Sequence, residues 1–132
     1  MRLTSSFAIQ SWTENAYDET SGQPKLTRAS VTQSYTGDIE GQGAVEYLMA
    51  YGADGSANYV SLERVTGRIG ERIGSFVLRG TGAFEAGVAK ADFFIVPGSG
   101  TAGLGGIRGQ GSFIAKQGEA ASQQIALDVD FD

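Results

Sequence analysis

Glycine recurs in this chain in a pattern that few architectures accept. Three copies of Gly-x-Gly, each followed by a small and then an apolar residue, occur at Gly41-Gln42-Gly43-Ala44-Val45, Gly80-Thr81-Gly82-Ala83-Phe84 and Gly109-Gln110-Gly111-Ser112-Phe113. Glycine weakens helices and ordinary strands, because it packs no side chain and loses the most backbone freedom on folding. Spaced regularly among alternating apolar residues, it marks strands that bend hard or run close to a neighbour. Closed β-barrels need such bends at their corners. The pattern constrains the architecture and leaves the chemistry open.

Period-two alternation accompanies the glycines. Ile125, Leu127, Val129 and Phe131 alternate with Ala126, Asp128, Asp130 and Asp132, which predicts a strand with one buried and one wet face. Similar runs predict strands over residues 5–14, 25–37, 43–52, 57–68, 72–84, 88–96 and 109–116. Asp54-Gly55 is a strong two-residue hairpin turn, and Gly70-Glu71 and Ala86-Gly87 are weaker ones. Residues 15–24 and 97–108 read as longer loops, the second with room for a short helical turn. No linker or shift in composition divides the chain, so residues 1–132 form a single domain. A domain of this size buries about two thirds of its unfolded surface without staples. The expected fold is all-β: a closed eight-stranded antiparallel up-and-down β-barrel, with a two-sheet sandwich as the alternative.

What the chain lacks narrows its chemistry. It contains no cysteine and no histidine. Disulfides, thiol nucleophiles, serine–histidine triads and zinc bound through imidazole or thiolate are all excluded. Catalysis would fall to Asp, Glu, Tyr, Lys or Arg, and neither a metal nor a cofactor is expected. Ten basic against fifteen acidic residues leave a net charge of -5, with no basic stripe, so nucleic acid is not an expected partner. Residues 1–11 carry one arginine and no apolar leader core, and no apolar run nears the ~18 residues of a membrane helix. The expectation is a cytoplasmic protein with no membrane partner.

Five segments, in this order, carry a more specific likeness: Ser11-Trp12-Thr13-Glu14; Lys25-Leu26-Thr27-Arg28-Ala29-Ser30-Val31-Thr32; Gly37-Asp38-Ile39-Glu40-Gly41; Leu62-Glu63-Arg64-Val65-Thr66-Gly67; and Gly98-Ser99-Gly100-Thr101. Together they resemble a bacterial family known only as a domain of unknown function, over nearly the whole chain. The resemblance implies a small closed, calycin-like barrel similar to that of allene oxide cyclase, often found as an oligomer. Dirigent proteins and spirotetronate-forming cyclases share that barrel class. The resemblance implies no activity. No motif here matches the allene oxide cyclase site, so no catalytic residue carries over.

Several residues invite a functional reading. Gly98, Gly100 and Gly103 satisfy the GxGxxG spacing after an apparent strand. A dinucleotide site needs a helix next, whose N-terminal amides hold the pyrophosphate. Pro97 before these glycines and Gly105, Gly106 and Gly109 after them leave no such helix, and the segment reads as a flexible inter-strand loop.

The carboxylates of the third and fourth strands are better candidates. A two-residue turn at Asp54-Gly55 sets Glu46 directly opposite Glu63, and Ala50 opposite Tyr59. Like charges facing across a ladder are destabilising, so the pairing needs an explanation. Buried together, the two acids would share a proton and form an acid–base couple. In bulk solvent their repulsion is screened and the pairing has no chemical consequence.

Turns at Gly70-Glu71 and Ala86-Gly87 then place Glu63 beside Leu78 and Leu78 beside Ile95. The face of the two glutamates would also carry Phe76, Phe84 and Phe93, and the opposite face Arg79, Lys90 and Asp92. That ordering points Glu46 and Glu63 inward. It also leaves Val45, Tyr47, Met49, Val60 and Leu62 outside, which calls for a subunit interface or for a face-reversing bulge among Gly67, Gly70 and Gly74.

Trp12, the sole tryptophan, shares its face with Gln10 and Glu14, where it stacks on a ligand at a barrel mouth or fills core. Tyr59 lies on the Glu63 face, as a ligand or carboxylate partner or as an aromatic filler. Arg64 and Arg79 read as surface or interface charges. Asp128, Asp130 and Asp132 read as a solvated face rather than a metal site.

The ligand-binding candidates are therefore Trp12, Glu46, Tyr59 and Glu63. Three functions fit. The first is a barrel that binds a small, largely apolar or amphipathic molecule. The second is an isomerase or cyclase in which the cavity fixes substrate conformation and Glu46 or Glu63 moves a proton. The third is a solid-cored structural protein. A homo-oligomer is expected.

Overall fold

The computed structural model describes residues 1–116 and 123–132. Eight strands follow in order: β1 (Arg2–Asp18), β2 (Lys25–Gly37), β3 (Ile39–Tyr51), β4 (Ala57–Ile69), β5 (Arg72–Glu85), β6 (Val88–Ile95), β7 (Ile107–Lys116) and β8 (Gln124–Phe131). Each pairs antiparallel with the next, and β8 returns to pair with β1, so the sheet closes into a ring in chain order. The β8 pairing covers Arg2–Ser6 of β1. No helix among the described residues is long and apolar enough to cross a membrane.

Several boundaries differ from the sequence reading. Strand β1 runs on past residue 14, because Asn15, Ala16 and Asp18 continue the ladder against Arg28, Thr27 and Leu26. The expected loop over residues 15–24 shrinks accordingly. Strand β7 starts earlier, at Ile107, paired with Phe131.

The register across β3 and β4 also differs, with larger consequences. Glu46 lies opposite Leu62, and Glu63 opposite Val45. The reason is the turn. Gly52 N–H donates to Ser56 O (2.8 Å), which leaves Ala53, Asp54 and Gly55 as a three-residue connection. Gly55 takes the left-handed conformation (φ 85°) that closes such a turn. One extra residue reverses the face of every side chain beyond it. Val45, Tyr47 and Met49 thereby pack inside, while Glu46, Leu48, Val60 and Leu62 lie outside. No bulge at Gly67, Gly70 or Gly74 is needed. The turns at Gly70-Glu71 and Ala86-Gly87 hold as two-residue connections, and Glu63 sits beside Leu78, and Leu78 beside Ile95.

A register shift in β1 between Ile9 and Ser11 decides which way the second half of that strand faces. Before it, Leu3, Ser5 and Phe7 point inward; after it, Trp12 pairs with the buried Val31 and Glu14 with the buried Ala29. A single extra residue therefore moves Trp12 and Glu14 onto the inner face.

The interior is unequal along its length. One half is a solid cluster built around Phe76, Leu78, Ile95, Ile107 and Leu127, plugged by Leu104 from a short 3₁₀ turn (Ala102–Leu104). The segment before that turn is tied down rather than flexible. Pairing between β5 and β6 ends at Leu78 and Ile95, and beyond that point Val77 N–H donates to Ser99 Oγ and Ser75 N–H to Thr101 Oγ1, both 3.0 Å. Gly98-Ser99-Gly100-Thr101 thus completes the free edge of β5, which unpaired amides would otherwise leave unsatisfied. The other half holds Ala29, Val31 and Val45 with the larger Tyr47 and Met49 against them.

Candidate functional site

Between the two halves lies one acid. Glu63 points inward from β4 and is 4% exposed. Its Oε2 accepts hydrogen bonds from Tyr35 Oη (2.5 Å) and Gln33 Nε2 (2.8 Å), and Gln33 also donates to Tyr35 Oη (2.9 Å). Both partners come from β2, where Ala29, Val31, Gln33 and Tyr35 alternate on the inner face. Among the described residues nothing hydrogen-bonds Oε1.

The site exists because Gly43 has no side chain. A Cβ at Gly43 would overlap Glu63 Oε2 and press on the Tyr35 ring. Gly80 leaves room for Ser61 and Phe93 in the same way, and Gly82 for the Tyr59 phenol. Two of the three Gly-x-Gly copies therefore shape this interior.

Burial pushes the Glu63 carboxyl above its ordinary pKa, and the hydrogen bonds from Tyr35 and Gln33 offset that only in part. Burial likewise raises Tyr35 well above the usual phenol range, with the Glu63 charge adding to it. Tyr47 is raised by burial first, then by Glu63 and Tyr59. Among the described residues no cation contributes to the Glu63 environment.

Beyond Glu63 the inner face turns aromatic. Trp12 stacks on Tyr47 (centroids 5.7 Å apart, planes 25°), and Tyr59 meets Tyr47 edge-on at 5.4 Å. Trp12 remains 45% exposed, so an apolar indole faces solvent at this end. Below it Glu14 collects three donors: Trp12 Nε1 (3.0 Å), Thr27 Oγ1 (2.7 Å) and Tyr51 Oη (2.6 Å). Partial burial raises Glu14, but those hydrogen bonds together hold it below its ordinary pKa. Tyr51, buried in part and bonded to Glu14, is pushed up to about 12.

Of the four residues singled out from the sequence, the structure brings Trp12, Tyr59 and Glu63 to one interior. Glu46 is not with them. It lies outside, where Arg28 donates from Nε (3.1 Å) and Nη2 to its Oε1, and hydrogen bonds from Ser30 and Arg28 lower its pKa. The expected Glu46–Glu63 couple does not form, because the three-residue turn sets the two acids on opposite faces. Arg64 and Arg79 lie outside as expected. Asp128 pairs with Arg2 (3.6 Å) and Asp132 with Arg108 (3.4 Å), both at the surface.

The sequence reading missed Gln33, Tyr35, Tyr47 and Glu14. A glutamine on the apolar face of β2 was the available signal, since an amide there needs a polar partner across the ring.

A family model described as "Protein of unknown function (DUF3224)" matches residues 3–127, and the chain belongs to that family. The chain is similar to a solved structure of a protein of unknown function from the DUF3224 family of Shewanella oneidensis MR-1. The two share 29% identity and a TM-score of 0.84, over 100% of this chain and 98% of that one. No curated protein matches.

Proposed function

We propose that this member of the DUF3224 family is a small-molecule-binding β-barrel of the allene oxide cyclase-like class. An amphipathic ligand enters at the Trp12 end, and Glu63 is its polar anchor. Eight antiparallel strands closed in chain order, with one half solid and the other aromatic, support the barrel reading.

One observation carries the ligand: among the described residues this buried carboxyl meets no cation, and two donors take one of its oxygens and none the other. A core built only for stability gains more from an apolar side chain of that volume, since burying an acid costs several kcal/mol unless it is fully paired (about 2–7 kcal/mol even for a neutral polar group). Desolvated, perturbed acids concentrate at functional sites. With both donors on Oε2, a proton on the neutral acid resides on Oε1, which then donates to a ligand carbonyl or hydroxyl. Trp12, Tyr47 and Tyr59 supply flat apolar faces for the ligand body.

The raised pKa of Glu63 favours a second reading, an isomerase or cyclase. A carboxyl whose pKa is raised by burial is better matched to proton transfer than an ordinary one. The two readings separate on whether a bound compound is returned unchanged.

Trp12 is a built-in reporter, being the only tryptophan and lying on the proposed path. Titrating a panel of small amphipathic carbonyl and hydroxyl compounds should change its emission saturably for at least one. Glu63→Leu should weaken that compound roughly 10–100-fold, the size of a lost buried hydrogen bond to a carboxyl group. Binding unaffected by Glu63→Leu would overturn the assignment.

A further inference from the structure

Three glycines in this interior each clear space for an oxygen atom. A Cβ on Gly43 would overlap Glu63 Oε2, one on Gly80 would crowd Ser61 Oγ, and one on Gly82 would overlap Tyr59 Oη. Tyr59, Ser61 and Glu63 alternate along the inner face of β4, with Gly82 and Gly80 directly opposite the first two on β5. One strand thus presents a column of three oxygen-bearing side chains. Tyr47 of β3, opposite Ser61, adds a second phenol.

Most of these oxygens are unclaimed. Among the described residues no side-chain hydrogen bond reaches the hydroxyls of Tyr47, Tyr59 or Ser61, although Ser61 is only 6% exposed. Gln33 is 5% exposed and spends its Nε2 on Tyr35 and Glu63, and among those residues nothing donates to its Oε1. Glu14, by contrast, is met by three donors. Buried polar groups are normally paired, and leaving one without a partner is costly. The unclaimed groups also differ in kind. A hydroxyl gives or takes a hydrogen bond, whereas the Gln33 carbonyl only accepts. An occupant that satisfies the whole set brings a donor as well as acceptors.

We infer that the ligand is a hydroxy-carbonyl compound: a flat ring that carries a hydroxyl donor in addition to the carbonyl held by Glu63. The inference rests on the ligand-binding reading above and names the class of molecule for that same site. The ring lies against Tyr47, the hydroxyl donates to the Gln33 carbonyl, and Ser61 serves the ligand's remaining oxygen lone pairs. Gln33 and Ser61 are then the residues that set specificity. The same wall disfavours a carboxylate ligand, because among the described residues Glu63 belongs to no ion pair and would face a second acid.

Calorimetric titration of the full chain with hydroxyacetophenones, their methyl ethers and unsubstituted acetophenone tests this. The ortho, meta and para isomers vary the spacing of the two oxygens. At least one hydroxyacetophenone should bind about tenfold or more tightly than both its methyl ether and acetophenone, the size of one net hydrogen bond. Gln33→Leu should abolish that preference and Ser61→Ala reduce it, with circular dichroism confirming that each variant folds. Equal affinity for hydroxyl, ether and parent compounds overturns the inference, and so does a preference that survives both substitutions; either result leaves the Glu63 anchor standing if acetophenone binding is weakened in Glu63→Leu. Acetophenone binding unchanged in Glu63→Leu overturns the anchor itself. A series in which no member binds overturns the class of ligand named here.

Discussion

Replacing Glu63 with Gln should change how stability depends on pH, and the sign comes from the site. In the unfolded chain this carboxyl titrates near 4.5, while burial raises it in the folded protein. As pH rises through 4.5 the unfolded chain gives up a proton that the native state still holds. Stability therefore falls, by at most ~1.4 kcal/mol per pH unit for a single proton, and levels off once pH exceeds the folded pKa.

For a domain of this size 1 kcal/mol corresponds to roughly 3–5 °C in Tm. In Glu63→Gln the new amide keeps an oxygen to accept from Tyr35 and Gln33 and carries no charge. The variant should match the wild type to within ~1 kcal/mol near pH 4 and become the more stable protein as pH rises toward neutrality. Glu14, Glu46, Asp18 and Asp54, whose pKa values are lowered, contribute a slope of opposite sign in both proteins and cancel in the difference. Thermal unfolding of both proteins in half-unit steps from pH 4 to pH 8 reads this directly. Parallel curves across that range would refute the reasoning, because they require a carboxyl that ionises as freely inside the ring as in water.

Two further outcomes rest on packing. Gly43→Ala forces a methyl group against Glu63 Oε2 and the Tyr35 ring, so it should cost about 1–3 kcal/mol in denaturant unfolding, and combining it with Glu63→Ala should recover part of that loss. Leu104→Ala empties the plug of the solid half, where Leu104 is 1% exposed, and should lower stability by about 2–5 kcal/mol while leaving Trp12 emission at the other end unchanged.

How much of the fold was legible depended on the turns. Strands β4, β5 and β6 read correctly because Gly70-Glu71 and Ala86-Gly87 are two-residue connections whose length fixes the register. The Asp54-Gly55 pair is compatible with two turn lengths, since a glycine in the left-handed conformation closes both a two-residue and a three-residue hairpin. The chain uses the longer, with Ala53 included, and that one residue moved Glu46 outside and brought Tyr47 in.

The apolar patch expected outside was accordingly half right. Val60 and Leu62 are exposed, joined by Leu48 rather than by Val45, Tyr47 and Met49. The partners of Glu63 were out of reach for a related reason. Gln33 and Tyr35 lie on β2, whose pairing to β3 stops at Tyr35 and Gly41 and leaves no two-residue turn from which to count. Glycine spacing did foreshadow the site, because Gly43, Gly80 and Gly82 are where the interior makes room for polar and aromatic side chains.

Native mass spectrometry of protein purified gently from its own host tests the ligand-binding account most directly. The account predicts a small molecule of defined mass on each subunit, released on denaturation and missing from Glu63→Leu protein prepared in the same way. Subunits that carry only the mass of the polypeptide, or an adduct retained without Glu63, would contradict it.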